Sequence, residues 1–169
     1  DANDHYCPAD AIRFTRAIER DRPEHIEQPV ARHDMLGLAE VRRSVGVPIM
    51  TDDMVATPYD AMNVIRLGAA DRVKVKVTKH GFDGARAICA MLSSAGLTPV
   101  LGHVFEMGLA AIAEAQFAAC TPGLAMPCEI GSMAPMGTHA DIVTNALRSE
   151  PGYMTVPTGL GLGADVDWR

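Results

Sequence analysis

Apolar and polar positions along the chain follow two alternating rhythms. Stretches with apolar residues three and four apart predict amphipathic helices, and short β-branched runs between them predict strands. Pro8 opens the first helix, with Ala11, Phe14 and Ile18 on one face. Asp34 is placed to cap the second, whose stripe is Leu38, Val41 and Val45, with Gly46 past its end. Thr57 and Pro58 open the third, with Ala61 and Ile65 inward and Gly68 closing it. The fourth is expected over about 83–96, with Ala85, Ile88 and Leu92 inward. The fifth is expected over about 108–120, with Ala110, Ala113 and Phe117. Strands are expected around His25–Glu27, Val47–Thr51, Val73–Val77, Thr98–Gly102 and Met126–Ile130.

Strand and helix alternate with a period of about 25 residues, which predicts an α/β fold of parallel strands joined by crossover helices. A doubly wound sheet and a (β/α) barrel both satisfy that spacing. The strand ends favour the barrel. Asp1, Glu27, Asp52 and Lys76 each fall where a strand gives way to a loop, at separations of 26, 25 and 24 positions. In a parallel barrel such ends open on one face, where the active site lies. Three carboxylates converging there repel one another, so a cation is expected among them. A hard divalent ion with oxygen ligands fits, magnesium first and manganese as the substitute, held by Asp1, Glu27 and Asp52. Lys74 and Lys76 alternate on one strand and should both point inward, Lys74 a layer deeper. A lysine at that depth needs a carboxylate partner, for which Glu27, Asp52 or Asp53 could serve.

Composition narrows the class. Apolar residues make up 48% of the 169 and charged residues 21%, the balance of a globular domain with a sizeable core. A net charge of −6 argues against nucleic acid or an anionic membrane as the main partner. No apolar run is long enough to span a bilayer. Cys7, Cys89, Cys120 and Cys128 form no Cys-x-x-Cys pair and read as buried thiols of a reducing compartment, which points to the cytoplasm. The ten methionines read as core filler. The opening DANDHY reads as the end of a strand, as in a fragment.

The ordered set DAN (1–3), IEQP (26–29), TDD (51–53), KVTKHG (76–81) and GLGLGADVD (159–167) resembles the enolase superfamily. The resemblance is greatest to the muconate cycloisomerase subgroup of the mandelate racemase/muconate lactonizing family. It implies a TIM-type barrel present only as its C-terminal part, strands three to eight, over residues 1–150. Residues 151–169 would be the return segment towards an absent capping domain. It also implies Asp1, Glu27 and Asp52 as metal ligands, Asn3 and Asp53 as their polar neighbours, and Lys76 as the catalytic lysine. Lys79 falls on a second lysine of the pattern, and His80 departs from its usual Gly-Gly run. Glu129 falls on the eighth-strand acid of cycloisomerases. His103 ends the seventh strand as a substrate contact or supporting donor, and Glu106 is expected to orient Lys76 or the metal shell.

The implied chemistry is magnesium-assisted abstraction of a proton next to a carboxylate, with the enediolate charge held by the metal. A lysine, ordinarily of pKa about 10.4, becomes a usable base when a nearby cation disfavours its charged form. The expected function is therefore a cycloisomerase acting on a small carboxylate. The alternatives are a racemase or epimerase of amino-acid derivatives or dipeptides, a dehydratase, or a catalytically incomplete barrel fragment. The subgroup's strand-two Lys-x-Lys has no counterpart here, since the only such pattern is Lys74-Val75-Lys76. This chain alone is accordingly expected not to turn over, and the whole protein to form a homo-oligomer.

Overall fold

The computed structural model describes residues 1–131, 141–145 and 147–168. Four parallel strands form its sheet in sequence order: β1 (Ile26–Glu27), β2 (Ile49–Thr51), β3 (Arg72–Val75) and β4 (Thr98–Leu101). The register pairs Glu27 with Met50, Thr51 with Val73 and Val75 with Leu101. Helices α2 (Met35–Ser44), α3 (Pro58–Leu67) and α4 (Val77–Ser94) connect successive strands, α1 (Pro8–Ile18) precedes β1, and α5 (Gly108–Cys120) follows β4. A two-stranded antiparallel hairpin, β5 (Ser149–Glu150) and β6 (Tyr153–Met154), stands apart from the sheet.

Local signals explain the helix ends. The Asp34 carboxylate accepts the Gly37 N–H at 2.8 Å, and Thr57 and Asp60 form a reciprocal capping box at the start of α3. Gly68 closes α3 in the left-handed conformation (φ 58°), which a residue without a Cβ adopts at little cost. Side-chain alternation then divides the sheet into two faces. Ile26, Ile49, Val73, Val75 and Leu101 join the helix stripes, including Leu38, Val64 and Ile88, in one core. Glu27, Lys74 and Lys76, also buried, alternate with them and lie on the opposite, inner face.

Residues 1–6 continue the sheet beyond β1. Ala2, Asp4 and Tyr6 donate their N–H groups to Glu27, Gln28 and Pro29, each at 3.0 Å. Left-handed backbone at Asn3 and Asp4 (φ 45° and 68°) interrupts what would otherwise be a regular strand. Met126–Ile130 lies along the other edge. Ala125 N–H and Glu129 N–H bond to Pro99 and Leu101, so four residues of this segment span two of β4 and the ladder is irregular.

Three expectations are corrected. The fourth helix begins at Val77, because a turn over Val77–His80 precedes a kink at Gly81 (φ 65°). Phe14 is 41% exposed and stacks on Tyr6 at 5.5 Å instead of entering the core. All four cysteines are free thiols, but Cys7 and Cys120 are exposed, the latter being the last residue of α5; only Cys89 is fully buried. None of the described helices is long and apolar enough to cross a membrane.

Candidate active site

The strand ends of the inner face carry a chain of alternating acids and lysines. Lys74, 5% exposed, sends its ammonium to Glu27 (2.6 Å to Oε1, 2.7 Å to Oε2) and to Glu129 Oε2 (2.7 Å). Burial alone lowers the pKa of this lysine, but the hydrogen bonds and charges of Glu129 and Glu27 outweigh it, and the net shift is upward. Glu27 was an expected partner of Lys74, and Glu129 is an additional one.

Lys76, also 5% exposed, donates to Asp52 Oδ2 at 2.6 Å. The second oxygen of Asp52 is buried and accepts no hydrogen bond, with Lys79 Nζ 4.0 Å away. Lys79 donates instead to the Asp52 backbone carbonyl (3.1 Å) and reaches Asp53 Oδ1 at 3.5 Å. Desolvation pulls its pKa down against the pull of Asp52 and Asp53. Asp53 also meets Arg32 (3.3 Å), which holds Asp4 at 2.8 Å. Asp1 is exposed, and its carboxylate accepts the Asn3 N–H at 2.8 Å.

Buried Gln28 braces this rim from the outer face. Its carbonyl accepts both the Thr51 hydroxyl and the Asp52 N–H at 2.9 Å. His80, the departure in the Lys76 loop, has a clear task. Its Nε2 lies 3.0 Å from the Val55 carbonyl, and its Nδ1 lies 3.1 Å from the Lys76 N–H. Nδ1 also lies 2.8 Å from the Lys76 carbonyl oxygen, so the ring bridges the Lys76 backbone and the loop after β2. Gln28, Arg32 and His80 have no role in the sequence reading, because each acts through a contact made only once the loops are assembled.

His103 and Glu106 occupy the loop after β4. The Phe105 N–H donates to His103 Nδ1 at 3.1 Å, and the Glu106 carboxylate lies 3.8 Å from the same nitrogen. Glu106 accepts the Val104 N–H and the Thr78 hydroxyl. Its described hydrogen bonds therefore tie two loops together; none of them goes to Lys76.

Gly102 is required by the same packing. A Cβ there would collide with the aliphatic stem of Lys74. Gly102→Ala is expected to push the lysine off its two carboxylates and to cost about 1–3 kcal/mol, read from urea denaturation. An unchanged midpoint would show that the stem adjusts freely.

Among the described residues no three His, Cys, Asp or Glu side chains gather closely enough to hold a metal ion. Ammonium groups occupy Glu27 and Asp52 in this arrangement, and the Asp1 carboxylate accepts the Asn3 N–H. The donor set still suits a hard cation: Asp1, Glu27 and Asp52 are all carboxylates at neighbouring strand ends. A buried Asp52 oxygen without a hydrogen bond is also a ready ligand.

Parallel strands with crossover helices, and acids and lysines gathered at the C-terminal strand ends, define part of a (β/α) barrel. The chain belongs to the enolase C-terminal domain-like family, whose sequence model matches residues 1–169. It is 30% identical over 168 residues to muconate cycloisomerase 1 of Rhodococcus opacus, covering 99% of this chain and 44% of that protein. It is 33% identical over 164 residues to the N-succinylamino acid racemase of Thermus thermophilus, covering 96% and 44%. A solved structure of the L-Ala-D/L-Glu epimerase from Bacillus subtilis, a substrate-liganded complex, superposes with a TM-score of 0.88 at 30% identity, over 97% of this chain and 46% of that one. The chain thus spans less than half the length of each of these relatives.

Proposed function

We propose that the whole protein is a magnesium-dependent enzyme that removes a proton from the carbon next to a substrate carboxylate. The observation that supports this most is the pairing of Lys76 with Asp52 at the rim, a base candidate hydrogen-bonded to a carboxylate whose other oxygen is unpartnered. Asp1, Glu27 and Asp52 would hold the ion, which supplies positive charge to the substrate carboxylate as electron density moves onto it. Lys76 Nζ takes the α-proton and can return it, while His80 keeps the lysine backbone in place. Asn3, Asp53 and Lys79 surround these groups, and His103 lies on the adjoining loop as a substrate contact.

Within this chemistry we favour intramolecular lactone formation, in keeping with the similarity to muconate cycloisomerase 1. Epimerisation of an amino-acid derivative is the second reading. It gains from the pairing of Glu129 with Lys74: a carboxylate bound to an ammonium is an acceptor, not the proton donor that a lactonizing role would ask of it. The two separate in one experiment. The whole protein, stripped of metal and reloaded with magnesium, is offered muconate and a panel of dipeptides and N-acylated amino acids. Lactone formation that falls sharply in Glu129→Gln supports the cycloisomerase. Epimerisation with no lactone moves the function to the second reading, and no metal-dependent turnover of any of these removes both.

A further inference from the structure

The proposed chemistry leaves one buried acid unused. Glu114 lies in the middle of α5 and is 0% exposed. Among the described residues no hydrogen-bond donor reaches either of its carboxyl oxygens. The group within hydrogen-bonding reach is a second carboxyl, that of Glu106. Two carboxylates in contact away from water do not both ionise near neutral pH. One of them carries a proton, and the surroundings decide which. Glu106 is supplied with donors: the Val104 N–H reaches both of its oxygens at 2.8 Å, and the Thr78 hydroxyl reaches Oε1 at 3.0 Å. Glu114 has none. The negative charge therefore rests on Glu106 and the proton on Glu114, whose O–H donates to its neighbour.

We propose that Glu114 is a buried neutral acid whose hydrogen bond positions Glu106, clamping the loop that bears His103 onto the turn that follows Lys76. The parts of the clamp are adjacent to both. Val104 follows His103 directly, and Thr78 stands two residues after Lys76 in the first turn of α4. The charged and titratable groups facing the pair are Lys76 at the end of β3 and His103, whose Nδ1 is 3.8 Å from Glu106 Oε2; Asp141 sits on the Gly108 N–H at the start of α5. Burial first, then the Glu106 charge and hydrogen bond, push the Glu114 carboxyl up to about 8, against a smaller opposite pull from Lys76. Burial also pushes Glu106 up, but the backbone N–H groups of Val104 and Glu106 itself, with Thr78 and Glu114, outweigh it and bring the pKa down. The two directions agree with the proton's place on Glu114. Only the catalytic consequence rests on the reading of Lys76 as the base; the clamp does not.

The sign for stability follows. A carboxyl whose folded pKa is raised stabilises the fold fully below its unfolded value, near 4.5, and that contribution is lost as pH rises to about 8. The test uses the whole protein, metal-free and without substrate, so a failure of the enzymatic reading leaves it intact. Carbon-13 NMR of labelled glutamate carboxyls, followed with pH, should show one group titrating near 8 in the parent and none there in Glu114→Gln. The amide keeps the position neutral without titrating and can still donate to Glu106, so the Val104 amide should keep its protection from hydrogen exchange in Glu114→Gln and lose it in Glu114→Leu. The melting temperature of Glu114→Gln relative to the parent should rise with pH across the same window. If Glu114→Leu does not fold, the glutamine variant decides. No glutamate titrating above about pH 6 in the parent, or one that persists in Glu114→Gln, overturns the proposal.

Discussion

Replacing Lys76 by alanine is expected to stop exchange of the substrate α-proton with solvent while leaving magnesium binding in place. Removing a positioned general base costs roughly 10²–10⁴ in rate, and the loss is larger where no other group can take the proton. Lys79 also lies beside Asp52, but its ammonium is already committed to the Asp52 carbonyl and to Asp53. Lys79→Ala should therefore affect exchange far less than Lys76→Ala. The metal side of the expectation follows from the ion pair. Lys76 donates to Asp52 Oδ2 at 2.6 Å, so alanine frees that oxygen and removes a competing cation. Magnesium affinity, measured by calorimetry, should hold or rise. Deuterium wash-in at the parent rate in Lys76→Ala would remove the lysine from the chemistry, and lost metal binding would show that its role is to shape the rim.

The parts of this molecule that could be read from sequence are those that depend on near neighbours in the chain. Asp34, Thr57 and Gly68 act as expected because a helix cap is made within four residues. The phase of Glu27, Asp52 and Lys76 was readable because strand and helix lengths repeat. Burial set by other elements was not. Phe14 follows the helical stripe of α1 yet stacks on Tyr6 at an exposed flank, and Cys120 lies in an apolar run that ends at the surface. The apolar stripe places the start of the fourth helix near Asp83, but a turn already starts at Val77 and Gly81 kinks it. The acids and lysines of the site were identifiable by type, whereas their pairing was not. Nothing near Glu129 in sequence announces that Lys74, 55 positions away, binds it. The one sequence signal for the Glu106–Glu114 pair was a lone acid in the apolar stretch AAIAEAQF, and it becomes informative only when Glu106 is found against it.

The largest effect on stability should come from Lys74. Its ammonium is the described counter-ion of Glu27, and both side chains are 7% exposed. Breaking a buried pair by removing one partner costs about 3–5 kcal/mol, because the remaining charge stays buried without compensation. Lys74→Met keeps most of the apolar stem that packs over Gly102 and deletes the charge, so its cost isolates the electrostatic part. Glu129 is 42% exposed on its side chain and can turn to water, so most of the loss belongs to Glu27. Denaturation of the whole protein in metal-free buffer should show this loss. A second change, Glu27→Gln, destabilising in the parent, should recover part of it in the Lys74→Met background. The Lys74 pKa is raised by its partners, so the pair's contribution is fully present below an ordinary lysine pKa of about 10.4 and lost only above it. The deficit should therefore be the same at neutral and mildly alkaline pH. Magnesium supplies a further arm. If the ion binds at Glu27, it replaces the missing ammonium and should stabilise Lys74→Met more than the parent at equal concentration. A loss below about 1 kcal/mol would place the pair among weak surface contacts. Equal stabilisation of the two proteins by magnesium would mean that Lys74 and the metal do not compete for Glu27.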